Sequence, residues 1–150
     1  MMMLPATNLL PQRVIVCHFD NYSTALLFVR WPHGGLLAPA ALPVSASVLA
    51  EPDQPLRQPL TAAQGVEIVK TLNVPADTLQ YQHDFTAWVT TDEGPLRIHL
   101  CRYMTPDAPK SEIALFGGEF RHMSALRSAD RQELLLLRQV FDWFMRGEGQ

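Results

Sequence analysis

The sequence predicts an α+β fold: an antiparallel β-sheet of hairpins, about four to six strands, with two or three helices packed on one face. Three observations predict it. Alternating, β-branched runs come in pairs separated by short turn segments. Two stretches carry helix caps and a helical apolar period. The helical stretches fall between or after the paired runs, giving the order β-β-irregular-α-β-β-α-β-α across one domain, residues 1–150.

Residues 1–11 read as an N-terminal arm bracketed by Pro5 and Pro11. "RVIVCHFD" (13–20) alternates Val14, Val16 and His18 against Ile15, Cys17 and Phe19, and "NYS" supplies a turn into a second strand, 24–31. Both faces of this pair are largely apolar, which places it centrally in a sheet or covered on both sides. Residues 32–59 form a proline-rich irregular connection, because Pro32, Pro39, Pro43, Pro52, Pro55 and Pro59 forbid a long regular element. Residues 60–75 predict a helix opened by the capping box Thr61…Gln64 and stopped by Asn73 and Pro75.

The stretch "YQHDFTAWVTTDEGPLRIHLCRY" (81–103) predicts a hairpin turning through "TDEGP". Its expected core face carries Tyr81, His83, Phe85, Ala87 and Val89 against Leu96, Ile98 and Leu100. The other face gathers Gln82, Asp84, Thr86 and Trp88 with Arg97, His99, Cys101 and Tyr103. A short helix within 105–118, an edge strand near 119–125 and a helix over 128–146 complete the order. The last helix, capped by Ser128 and ended by Gly147, carries apolar residues from Leu134 to Met145. That arc is wider than the usual stripe of roughly 100°, with Leu135 on the polar side.

Composition removes several functions. Apolar residues are 47% and charged residues 18%, which suits a globular chain and leaves apolar surface to hide by self-association. The net charge is -3, and the C-terminal arginines alternate with Asp130, Glu133 and Asp142. No basic stripe for phosphate contacts results, so nucleic acid is not an expected partner. The start lacks a basic region before an apolar run, and prolines interrupt the longest charge-poor stretch, so neither a signal peptide nor a spanning helix is read. Cys17 and Cys101 lie outside any CxxC pattern and read as reduced, buried thiols of a cytoplasmic protein.

No HExxH, GxSxG, phosphate loop or dinucleotide fingerprint is present. His99 and Cys101 share a face, but sequence spacing supplies neither a convergent metal shell nor a base beside the thiol, so no metal or cofactor is expected. The expected binding residues are Asp84, Trp88, Arg97, His99 and Tyr103, since aromatic and arginine side chains on a sheet face serve protein hot spots and ligand clefts alike. The functional expectation is a non-catalytic homodimeric module that binds a protein or a small molecule, with Leu135 and Trp143 at the dimer interface. The alternative is a small cofactor-independent hydrolase or isomerase. It would use His99 as base, Asp84 to orient it, Arg97 or Arg102 to hold an anion, and Cys101 nearby.

Overall fold

The structure is a computed structural model and describes residues 12–20, 22–32, 34–38, 42–49, 78–82, 85, 87–92, 94–126 and 130–146. The predicted arm over 1–11, the helix over 60–75, Asp84 and Ser128 lie outside the described residues, as does much of 32–59.

Among the described residues, eight strands form one sheet: β1 (Gln12–Phe19), β2 (Leu26–Arg30), β3 (Leu37–Ala38), β4 (Ser47–Val48), β5 (Leu79–Tyr81), β6 (Ala87–Thr91), β7 (Gly94–Tyr103) and β8 (Glu119–His122). Among the described residues, the helices α1 (Lys110–Ala114) and α2 (Arg131–Met145) and a 3₁₀ turn at Met123–Leu126 accompany them. The order is β4-β6-β7-β1-β2-β8, with β3 beside β1 and β5 beside β7.

The sheet is mixed, which corrects the expectation of antiparallel hairpins. The two hairpins do form: Cys17 faces Phe28 across β1–β2, and Val89 faces Leu96 across β6–β7. They then abut through β1 and β7, which run parallel from Gln12↔Arg97 to His18↔Tyr103. Local alternation sets each hairpin, but it does not say which strands of two hairpins meet. β1 and β7 are buried on both faces, as central strands are.

The helices also divide between the faces, where one face was expected. α2 covers Ile15, Cys17, Phe19, Leu26, Phe28, Ala87, Val89, Ile98 and Leu100 with Leu136, Leu137, Val140, Trp143 and Phe144. Ile113 of α1 packs on the opposite side with Val14, Val16, Val29, Trp31, Cys101 and Tyr103. α1 is held close to the chain beside it: Gly117, at φ +80°, would place a Cβ 2.7 Å from Pro32 Cγ. α2 starts where Asp130 accepts from the Gln132 and Glu133 backbone N–H groups at 2.9 and 3.3 Å. Its buried positions, Glu133, Leu136, Leu137, Val140, Trp143 and Phe144, make an ordinary inward stripe. Trp143 packs edge-on against Phe85 and Phe144, with ring centroids 5.7 and 5.1 Å away, inside this chain's own core.

A bulge decides which residues share a face. Tyr81 pairs with Cys101 and Ala87 with Ile98, so six steps along β5–β6 answer three along β7. The three extra residues are an odd number, and the alternation changes sides. Tyr81 consequently joins the face of His99 and Cys101, whereas Phe85, Ala87 and Val89 face α2. The expectation that Tyr81 and Phe85 share one core face is corrected on this ground.

Candidate functional site

The described part of the hairpin face is closed. Trp88 sits opposite Arg97 in the β6–β7 register, and Trp88, Arg97, His99, Cys101 and Tyr103 are all buried. His99 is 0% exposed, and its Nδ1 lies 2.5 Å from the Tyr81 hydroxyl in a shared hydrogen bond. Burial, and secondarily the Arg97 charge, pushes the imidazole pKa down to about 4, so the ring is neutral at pH 7. Burial pushes the Cys101 thiol up to about 12 and raises Cys17 as well; both are free cysteines. A thiol kept protonated is a poor nucleophile.

Arg97 has a structural task. Its Nη1 donates to the Ile98 carbonyl at 2.6 Å and its Nη2 to the Phe85 carbonyl at 3.3 Å. Phe85 lies in the bulge, where the sheet ladder is interrupted and a carbonyl needs another donor. The bulge is pinned from its other end by Gln82 N–H donating to the Leu100 carbonyl at 2.9 Å. Arg97 therefore braces the irregularity that turns Tyr81 toward His99. Burial lowers its pKa.

The open chemistry lies further along the same strand. β1 and β7, being parallel, end at the same edge of the sheet, and a cleft of about 400 Å³ opens there. It is lined by Asp20, Tyr22, Arg102, Tyr103, Met104, Thr105 and Pro106. Of these, only Arg102 and Tyr103 figure in the sequence reading, Tyr103 as a binding residue and Arg102 as an anion holder. The volume is within the range of roughly 300–1,000 Å³ common to small-molecule sites. Crevices beyond the carboxyl ends of parallel strands are where sheets with parallel pairs commonly take ligands.

Each wall is fixed by a contact of its own. Asp20 Oδ1 accepts from the Tyr22 N–H and Oδ2 from the Ser23 hydroxyl, both at 2.9 Å. These bonds, the Tyr22 backbone bond first, hold the Asp20 pKa below the usual carboxylate range. The turn they organise carries Thr24 at φ 56° and leaves Tyr22 99% exposed. Arg102 is buried; its Nη2 donates to the Phe19 carbonyl at 3.0 Å, and its Cζ stands 5.3 and 5.4 Å from the ring centroids of Phe19 and Phe144. His18 Nε2, 2.8 Å from the Thr105 carbonyl, ties the opposite loop to β1. Nothing in the sequence joined Asp20 and Tyr22 to this set, because they reach residues 102–106 only through the parallel pairing.

Among the described residues no group of three or more His, Cys, Asp or Glu side chains is arranged to hold a metal, and no helix is long and apolar enough to cross a membrane. Leu135 and Met145 stand on the outer face of α2, 38% and 42% exposed. No model of a known protein family matches the chain, and no characterised protein matches it either.

Proposed function

We propose that the protein is a non-catalytic binding module that takes a small ligand in the cleft at the carboxyl ends of β1 and β7. One observation carries the reading: the two central parallel strands end together at a cleft of about 400 Å³ lined by both signs of charge and by Tyr22, Tyr103 and Met104. The hydrolase or isomerase alternative draws less support, because its base would be a wholly buried imidazole with a pKa of about 4. The test is a ligand-observed NMR scan of a mixed set of small acids, amines, zwitterions and neutral aromatics, repeated on Met104→Lys, whose longer side chain obstructs the cleft. Binding that disappears in Met104→Lys supports the reading. Binding that is equal in both proteins, or absent throughout, overturns it.

Self-association is a second reading, favoured by exposed Leu135 and Met145 on the outer face of α2. Trp143 takes no part in it, being buried against Phe85 and Phe144. Sedimentation equilibrium at tens of micromolar, roughly where weak homodimers associate, decides it. A dimer that Leu135→Glu converts to monomer supports the reading, and a monomeric wild type contradicts it.

A further inference from the structure

We propose that the outer edge of β8 pairs with the same edge of a second copy of this chain, joining the two sheets across a two-fold axis at Phe120. This step is independent of the cleft, and it uses a different surface from the outer face of α2. Among the described residues the sheet runs from β4 at one edge to β8 at the other, and β8 pairs with β2 alone. The β4 edge is two residues long and is capped by a side chain of α2, the Val48 N–H donating to Gln132 Oε1 at 2.8 Å. β8 is exposed at both ends, at Glu119 and His122. Alternate N–H and C=O groups along it point away from β2, which is what a further strand needs.

The residues of β8 select both the partner and the register. Phe120 is half-buried on the α1 side of the sheet, its ring centroid 6.3 Å from that of Tyr103. Alternation puts Glu119 and Arg121 on the other side. There Arg121 Nε and Glu119 Oε1 stand 3.0 Å apart, with the side chains 39% and 56% exposed. A two-fold axis perpendicular to the sheet keeps each side continuous across the new pair, so it passes at a residue and not between two. Centred on Glu119, it would set two carboxylates opposite each other; centred on Arg121, two guanidinium groups. Centred on Phe120, it sets Glu119 of each copy opposite Arg121 of the other, with the two Phe120 rings paired on the α1 side. Opposite charges and aromatic rings directly across from each other both stabilise antiparallel strands, whereas like charges there destabilise them. The turn that leads into β8 exposes further apolar surface, at Leu115 and Phe116.

The experiment is sedimentation equilibrium on the intact chain and on Glu119→Arg and Arg121→Glu, each alone and the two mixed in equal amounts. Wild type is expected to dimerise below about 0.5 mM, within the range of weak complexes. Each variant alone sets like charges across both outer positions and should dimerise at least about tenfold more weakly. Their mixture restores opposite charges at both positions and should recover the wild-type dimer fraction. A wild type that stays monomeric at that concentration, a dimer indifferent to both variants, or a mixture no more associated than its parts overturns the inference. So does a dimer that Leu135→Glu breaks and neither β8 variant weakens, which leaves association to α2. Should a single variant lose the wild-type circular dichroism spectrum, the double variant that exchanges the two charges decides. It should dimerise as wild type does, and a monomeric double variant overturns the inference.

Discussion

Around His99, β7 carries a buried imidazole, thiol and guanidinium, with the half-buried Tyr81 phenol across the bulge, and burial holds the imidazole and the thiol in their neutral forms. Four residues further on, at Tyr103, the same strand ends in a cleft with an ionised carboxylate, an exposed tyrosine and a half-exposed methionine. The first region has the residue types of an active site without the access. The second has access and fixed charges but few reactive groups. The difference teaches that residue type along a strand says little about function until its surroundings are known: desolvation silences a histidine or thiol that would be reactive in a cleft.

The largest effect that would break this comparison concerns the cover over the α2 face. Trp143→Ala should lose about 3–5 kcal/mol in urea denaturation, as a buried aromatic does. A variant of wild-type stability that merely dissociates would return Trp143 to an intersubunit surface.

Next comes acid. The unfolded chain protonates His99 near the ordinary histidine value of 6.5, the folded chain only near 4. Folded and unfolded chains are both unprotonated at this site above that window, so the penalty begins as pH falls below about 6.5, grows toward pH 4 and then levels off. It amounts to about 3 kcal/mol as an order of magnitude. His99→Gln, followed by thermal unfolding from pH 7.5 to 4, should show a correspondingly shallower decline than wild type. Parallel curves would mean that His99 is solvated in the folded state.

Arg97→Met should cost about 1–3 kcal/mol, because the Phe85 and Ile98 carbonyls lose their buried donor. Chemical denaturation measures it, and a neutral result would remove Arg97 from its role as brace of the bulge. The smallest effect sharpens the thiol side of the comparison. Cys17 and Cys101 should react with a thiol reagent only slowly in the native protein and rapidly in urea. Fast native reaction at Cys101 would mean that the hairpin face opens.

Much of the local structure was legible. The alternation in 13–20 and 96–103, the turn after Asp20 and the apolar run from Leu134 onward all have local physical signatures, and those elements are present. The parallel contact of β1 with β7 was not legible. It depends on which edges of two preformed hairpins meet, and local alternation does not specify that. The change of register between Tyr81 and Ala87 was hidden for a similar reason: the sequence alternates well enough to continue a strand, and only the pairing of both residues to β7 shows three residues too many. That one irregularity sends Tyr81 to His99, a contact period-2 reasoning assigned to the wrong face. At the cleft, Tyr103 and Arg102 could be singled out from sequence as binding candidates. Asp20 and Tyr22 could not, since more than eighty residues separate Asp20 from its neighbours across the cleft.

The central claim is that the face bearing His99 is interior structure while the edge bearing Tyr22 is accessible surface. It is tested most directly by comparing the thermal unfolding midpoints of His99→Ala and Tyr22→Ser at pH 7.5. His99→Ala leaves a cavity and the Tyr81 hydroxyl without its ring nitrogen, and should lose about 2–4 kcal/mol. Tyr22→Ser removes a side chain 99% exposed and should stay within about 0.5 kcal/mol of wild type. A His99→Ala variant that unfolds at the wild-type midpoint would contradict the account.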